Sequence, residues 1–426
     1  MKANKKILTN GVRLITVPMK DNPAVTVMVM TEAGSKYETD ANNGIAHFLE
    51  HMCFKGGKTY ATPRAVSTAL DRLGAESNAM TGHEYTGYYA KAHPKHFKKI
   101  VDVIADVFVH ARLDETELNR ERGVILEEIN MYEDFPPRHV ADLLYRLVYS
   151  GQPAGQPILG SRENIKQMTR EQFLEFHHTH YVADATVVFV AGAFDTKEVT
   201  REVERAFAEL PASKAVKMPK TVESQKKPQL LIEQKKTDQT HVALGIRAYK
   251  ASDKRAPALN VLKTVLGGGM SSRLFLKLRE EMGVCYYVKS SLDLHRDHGL
   301  LGVSAGVDTN RLEEVVGEIT REFARLKREP VDEKELKKAK DYLIGSLALS
   351  LETSDSVNDF FAEQELLERG ELKTPNRVIK EIRAVSAADI QTVARDIFTN
   401  ERLNMAVVGK VRDEAGIRRA LRIEAA

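Results

Sequence analysis

The chain has 426 residues, 42% of them hydrophobic, and its 63 basic and 60 acidic residues leave a formal net charge of +3. Such a length and apolar content can bury a large core in two or three globular domains, which excludes a disordered chain. The charges are spread along the chain, so no basic block marks a nucleic-acid or anionic-lipid surface, and no apolar run approaches the roughly 20 residues of a membrane helix.

Two cysteines, Cys53 and Cys285, lie far apart and form no C-x-x-C pair. They read as small buried apolar groups in a reducing compartment. The N-terminus is positively charged but runs directly into Asn10-Gly11, without the apolar core of a secretory signal. A cytoplasmic protein is expected, although a precursor already trimmed of a targeting segment would read the same.

Taken in order, residues 12–18 and 24–30 are rich in Val, Ile, Thr and Met around the turn signal Asp21-Asn22-Pro23, which predicts a hairpin. A polar loop containing Asn42-Asn43-Gly44 leads into a helix, with an Asn as its N-cap. On that helix His47, Glu50 and His51 fall within a wedge of about 100°, while Ile45, Phe48, Leu49, Met52 and Cys53 fill the opposite side. An ordinary solvated face would carry Lys and Glu pairs there.

Thr62 and Pro63 open a second helix that Gly74 ends, and residues 75–81 and 85–92 read as a β pair near a sheet edge. Helical period returns at 94–110 and 114–134. Projecting the last of these puts Leu118, Val124, Ile125, Ile129 and Tyr132 on one face, with Glu121 and Glu128 near its centre and Glu127 pointing away. Acids on a core-facing stripe need a compensating partner, because a lone buried carboxylate is strongly disfavoured.

Helices at 141–149 and 169–178, a buried strand at 185–192 and a helix from about Thr196 to Leu210 complete a first unit. Pro211 to Pro228 is rich in Lys, Ser and Pro and reads as a linker. Strands at 229–234 and 240–247, a helix from Asp253 to Leu266 and Gly267-Gly-Gly269 then repeat the order strand, strand, helix, Gly at a spacing of about 210 residues. This is read as a duplication, giving an α+β fold of two homologous α/β domains, each a mostly antiparallel sheet covered by helices: a catalytic domain at 1–210, the linker at 211–228 and a second domain at 229–426. Asn260-Val-Leu-Lys263 stands where the first half has its histidines, so the second copy is expected to be silent.

Three protein ligands and one open position define a catalytic zinc site. His47 and His51 supply two, and Glu128 is expected as the third. Glu50, on the same stripe, would take a proton from metal-bound water and return it to a leaving amine. Glu121 can hydrogen-bond a ligating histidine. His177-His178-Thr-His180, at the end of a polar helix, is read as solvated, and Gly267–Arg273 as a flexible loop, since it lacks the spacing of a phosphate-binding motif.

Over nearly its whole length the chain resembles the inverted-motif (H-x-x-E-H) zinc metallopeptidases of the pitrilysin/insulinase family, in the half-length type similar to mitochondrial processing peptidase subunits. The motif His47-Phe-Leu-Glu-His51 followed by Phe54-Lys-Gly56 looks like the family's metal helix. Arg120-Glu-Arg-Gly-Val-Ile-Leu-Glu-Glu-Ile129 looks like its third-ligand segment, which matches Glu128 as ligand and Glu121 as the assisting glutamate. Asn78-Ala-Met-Thr81 with Tyr85-Thr-Gly-Tyr-Tyr89 is similar to the edge strand on which substrate backbone adds, which makes Asn78 and Ala79 substrate-binding. Leu278-Arg-Glu-Glu-Met-Gly-Val-Cys-Tyr286 resembles the segment whose arginine and tyrosine hold substrate and stabilise the oxyanion, roles that pass to Arg279 and Tyr286.

The resemblance implies a zinc metalloendopeptidase with one zinc ion per chain, cleaving extended peptides in an enclosed chamber by Glu50-assisted attack of metal-bound water. It further implies a homodimer with sites completed across subunits, and no nucleic-acid or membrane partner. The competing reading is a non-catalytic scaffold or peptide-binding subunit; such relatives lose a ligand or the base, and here none is missing.

Overall fold

Residues 1–424 are described by the computed structural model, and their strands fall into two sheets that belong to two units. In the first unit β1 (Asn4–Ile7), β2 (Arg13–Pro18), β3 (Val25–Thr31), β4 (Glu76–Thr81), β5 (Thr86–Ala92) and β6 (Thr186–Gly192) take the order β1-β2-β6-β3-β5-β4. The pairing of 75–81 with 85–92 is present, and β4 ends the sheet.

The hairpin expected between β2 and β3 does not form. Instead β6 lies between them, parallel to β2 and antiparallel to β3. The physical reason lies in β6 itself: Thr-Val-Val-Phe-Val-Ala-Gly is buried at every position, and an unbroken apolar run finds cover on both faces only in a sheet interior. A turn signal reports that the chain reverses, not which strand it will meet.

Helices α1 (Ile45–Cys53), α2 (Pro63–Asp71), α3 (Phe97–Val109) and α4 (Glu115–Glu133) follow in this part of the chain. One face of the sheet packs Val27, Val29, Tyr88 and Val188 against Phe48, Leu49 and Ile104. On the other face Met28, Met30 and Phe189 pack with Val357 and Phe361 of the helix Ser354–Glu363. An ion-pair chain built on the buried carboxylates Glu365 and Glu32 anchors the segment that follows: Glu365 meets Lys5 at 2.7 Å and Arg13 at 3.0 Å, and Glu32 meets Arg13 at 2.8 Å and also pairs with Arg369.

The second unit contains β7 (Gln229–Gln234), β8 (Thr240–Ala248), β9 (Cys285–Leu294), β10 (Gly299–Val307) and β11 (Leu403–Gly409), in the order β7-β11-β8-β10-β9. Replacing β2, β6, β3, β5 and β4 by β7, β11, β8, β10 and β9 reproduces both the order and the sense of every pairing. The duplication read from element order is therefore present in strand topology. Here α5 (Pro136–Val148) supplies the cover for one face, setting Val140, Leu144 and Val148 against Ala243, Leu300 and Ala406.

Division of the chain departs from a cut at 211–228. The first unit comprises Met1–Asn130, Gln156–Pro219 and Ala348–Thr374; the second comprises Met131–Gly155, Lys220–Leu347 and the chain from Pro375 onward. Each sheet thus takes the helix on one face from the opposite half of the sequence. An amphipathic helix shows that it has an apolar stripe but not which of two similar sheets it will cover, so linear order misassigned both segments. No helix among the described residues is long and apolar enough to cross a membrane.

Candidate metal centre

The start of α1 is set from outside the helix. Gly44 is the N-cap at φ 100°, a left-handed conformation, and a Cβ there would meet Gly160 Cα and Leu159 O at 2.8 Å. No Asn side chain caps the helix, contrary to expectation. The Glu38 carboxylate replaces it: Oε2 accepts from Gly44 N at 2.8 Å and from Asn43 Nδ2 at 2.7 Å, and Oε1 accepts from Ala46 N at 2.8 Å. The two backbone donors, Gly44 N and Ala46 N, would otherwise be unpaired at a buried helix terminus. Burial pushes the Glu38 carboxyl up to about 7, against the pull of the same hydrogen bonds.

With its N-terminus held, α1 turns its apolar side fully inward. Ile45, Phe48, Leu49, Met52 and Cys53 are all buried, as expected from the projection. Below them the Tyr88 hydroxyl donates to Cys53 Sγ at 3.4 Å and lies 2.8 Å from the Tyr181 hydroxyl. Burial pushes the Cys53 thiol up to about 12, which removes it as a nucleophile at neutral pH.

On the opposite stripe of α1, His47 and His51 approach α4. Glu128 Oε2 lies 3.6 Å from His47 Nε2 and 3.5 Å from His51 Nε2, and the ligand atoms of the three residues all lie within 4.8 Å of one another. These separations are long for hydrogen bonds, but two ligands each about 2.1 Å from a tetrahedral ion stand roughly 3.4 Å apart. Two imidazoles and one carboxylate, converging without being bonded to one another, therefore fit a zinc-type ion. Burial, with the nearby His51 charge, brings the His47 imidazole down to about 3 and keeps it in the neutral form that a metal requires.

His51 differs. Its Nδ1 lies 2.9 Å from Glu121 Oε1, while Glu121 Oε2 accepts from Lys55 Nζ at 2.6 Å. Burial opposes ionisation of Glu121, but the hydrogen bonds from His51 and Lys55 outweigh it and hold the carboxyl below its ordinary range. Burial likewise lowers the His51 imidazole, and the Glu121 hydrogen bond with the surrounding carboxylates reverses that shift.

Glu50 is half-buried and its carboxyl is raised, chiefly by desolvation, with partial opposition from a Thr81 hydrogen bond and the His51 charge. The Thr81 hydroxyl donates to Glu50 Oε2 at 2.5 Å. Neither Thr81 nor Glu38 was given a role by sequence reasoning. Thr81 lies in the stretch noted for its edge-strand pattern, whereas Glu38 carries no local signal, because its contact is made across an intervening turn.

The α4 projection places Leu118, Glu121, Ile125 and Ile129 in buried positions and leaves Glu127 exposed. Val124, expected on the same face, is exposed instead. It follows the buried Glu121 by three residues and lies toward the rim of the stripe. Asn78 and Ala79 fall on β4, whose outer edge has no strand partner among the described residues, and Asn78 Oδ1 accepts from Ala79 N at 2.9 Å. In the second unit Arg279 donates to the Tyr286 carbonyl and its guanidinium lies 5.2 Å from the centre of the Tyr286 ring, which is largely exposed.

The three-histidine run is not solvated as a group. His177 Nε2 bonds the Phe108 carbonyl at 2.8 Å and its ring stacks on Tyr181, His180 is buried against Phe176, and only His178 is exposed. Aromatic packing is the reason: this end of the helix Arg170–His180 faces the core of the unit. The counterpart of α1, the helix Ala256–Gly267, contains no histidine or acid.

Two family models match the chain in succession. A family model described as "Insulinase (Peptidase family M16)" matches residues 13–162, and one described as "Peptidase M16 inactive domain" matches residues 167–343. An uncharacterized zinc protease of Bacillus subtilis, YmxG, is 38% identical over 92% of this chain and 95% of its own, and an uncharacterized zinc protease of Streptomyces coelicolor is 33% identical over 96% and 90%. The crystal structure of a protease from Helicobacter pylori shares the fold, with a TM-score of 0.88 and 24% identity over 96% of this chain and 99% of that one. The chain belongs to peptidase family M16, the pitrilysin/insulinase family, as a member of its half-length type.

Proposed function

We propose that the chain is a zinc metalloendopeptidase that hydrolyses extended peptides. The observation that carries this reading is the convergence of His47 Nε2, His51 Nε2 and a Glu128 carboxylate oxygen within 4.8 Å, with Glu50 on the same stripe of α1. A bound zinc would supply Lewis-acid polarisation of the scissile carbonyl and acidify a water.

The protein groups do the rest. His47, held neutral by burial, and His51, oriented by Glu121, present their Nε2 atoms, and Glu128 closes the set. Glu50 accepts the proton of the attacking water and delivers it to the leaving amine. Asn78 and Ala79 on the open edge of β4 pair with substrate backbone, so specificity rests on a few side-chain pockets and not on sequence as a whole. Arg279 and Tyr286 hold the substrate and stabilise the developing oxyanion.

The same reading makes the active form a cytoplasmic homodimer enclosing its sites, each site completed across subunits. A stable monomer with full activity, measured by size-exclusion with light scattering, would contradict that form. Metal analysis of the purified protein should find one zinc per chain, and mass spectrometry of a digested peptide library should find internal cleavages that disappear on chelation. Zinc bound with no cleavage of any peptide would favour a peptide-binding subunit instead.

A further inference from the structure

Thr81 is the last residue of β4 and is paired across the hairpin with Thr86 of β5. The Thr86 hydroxyl is already committed, donating to the Ala33 carbonyl at 2.8 Å. A threonine hydroxyl has one proton to give, and the acceptors around Thr81 are unequal: Thr86 Oγ1 stands at 3.4 Å and Glu50 Oε2 at 2.5 Å. The proton therefore goes to Glu50, in a charge-assisted hydrogen bond.

Glu50 has reason to need it. Its carboxylate ends three rotatable bonds, sits between two histidines on one stripe and feels the repulsion of Glu128. Left free, it could turn away from the site or swing in as a further ligand. We infer that Thr81 is the positioning residue for the catalytic base: its hydroxyl holds Glu50 Oε2 and leaves Oε1, which accepts no hydrogen bond among the described residues, to receive the proton. The rigid element is the sheet edge, so the orientation of the base on α1 is set by β4. This is a contact between two different elements that no local pattern encodes. The inference rests on the reading of Glu50 as the base.

Thr81→Val keeps the shape and removes the hydroxyl, and Thr81→Ser keeps the hydroxyl. For peptide cleavage, Thr81→Val should lower kcat at least ~10-fold with KM changed less than about threefold and one zinc retained, whereas Thr81→Ser should stay within about threefold of wild type. A second readout needs no activity: in metal-free protein Thr81→Val should lower Tm by about 2–4 °C, but by under about 1 °C when Glu50 is already Ala. A Thr81→Val enzyme with kcat within twofold of wild type, a change in KM alone, or an equal Tm loss in both backgrounds would overturn the inference. If the wild type cleaves no peptide, the peptidase reading fails, while the melting cycle still decides whether Thr81 holds Glu50.

Discussion

His51 Nδ1 and Glu121 Oε1 stand 2.9 Å apart, joining α1 to the long helix α4 that also carries Glu128. With Nδ1 donating to a carboxylate, the lone pair of His51 is directed to Nε2, the atom that faces Glu128. Replacing Glu121 by Gln should leave the fold intact but weaken zinc binding about 10–100-fold, as read by competition with a chelator of known affinity. Unchanged affinity would show that Lys55 and packing alone orient the ring.

Glu38 gives a pH dependence with a definite sign. Its carboxyl is raised to about 7 in the folded protein from 4.5, so the folded state binds the proton more tightly than the unfolded one. Stability from this group is complete below pH 4.5 and is lost as pH rises through 7, by up to ~3 kcal/mol. Glu38→Gln removes the titration. In urea unfolding, the stability of wild type relative to this variant should fall between pH 5 and pH 8, and a constant difference would refute the assignment.

Gly44 offers a test of how α1 is entered. With φ at 100° and backbone atoms 2.8 Å from any added Cβ, Gly44→Ala must strain the turn or move the chain at Gly160. A loss of roughly 2 kcal/mol or more is expected, with weakened zinc retention because His47 lies three residues on. Urea titration and metal analysis of the same preparation would check both.

The ion-pair chain at Glu365 predicts a local effect. Glu365 is buried between Lys5 and Arg13, and Arg13 also reaches Glu32. Glu365→Ala leaves the exposed Lys5 and the half-buried Arg13 without that partner, Arg13 keeping Glu32, and should destabilise the protein by about 1–3 kcal/mol. Hydrogen exchange should accelerate first in the segment from Ser354 to Glu368, which Glu365 fastens to the first sheet. Uniform acceleration across the chain would contradict a local anchor.

What was legible in the sequence follows from the range of each interaction. The α1 stripe and the acids of α4 were readable because helical period is local, and the projection put His47 and His51 on one stripe of α1 and Glu128 on a stripe of α4. The duplication was readable from element order, and strand topology bears it out. Strand pairing was not: β6 separates β2 from β3 although it follows them by more than 150 residues. The same limit hid the exchanged helices Pro136–Val148 and Ser354–Glu363, the Glu38 cap and the Thr81 contact. His177 and His180 were misjudged for a related reason, since a polar sequence neighbourhood said nothing of the aromatic side chains that meet them in space.

The most direct measurement is cleavage of an unstructured peptide by wild type and Glu50→Gln, with the zinc content of each sample determined. The account requires one zinc per chain in both and a loss of turnover in the variant of at least ~100-fold. Equal turnover with zinc bound in both would contradict the role of Glu50 and, with it, the chemistry assigned to the His47–His51–Glu128 site.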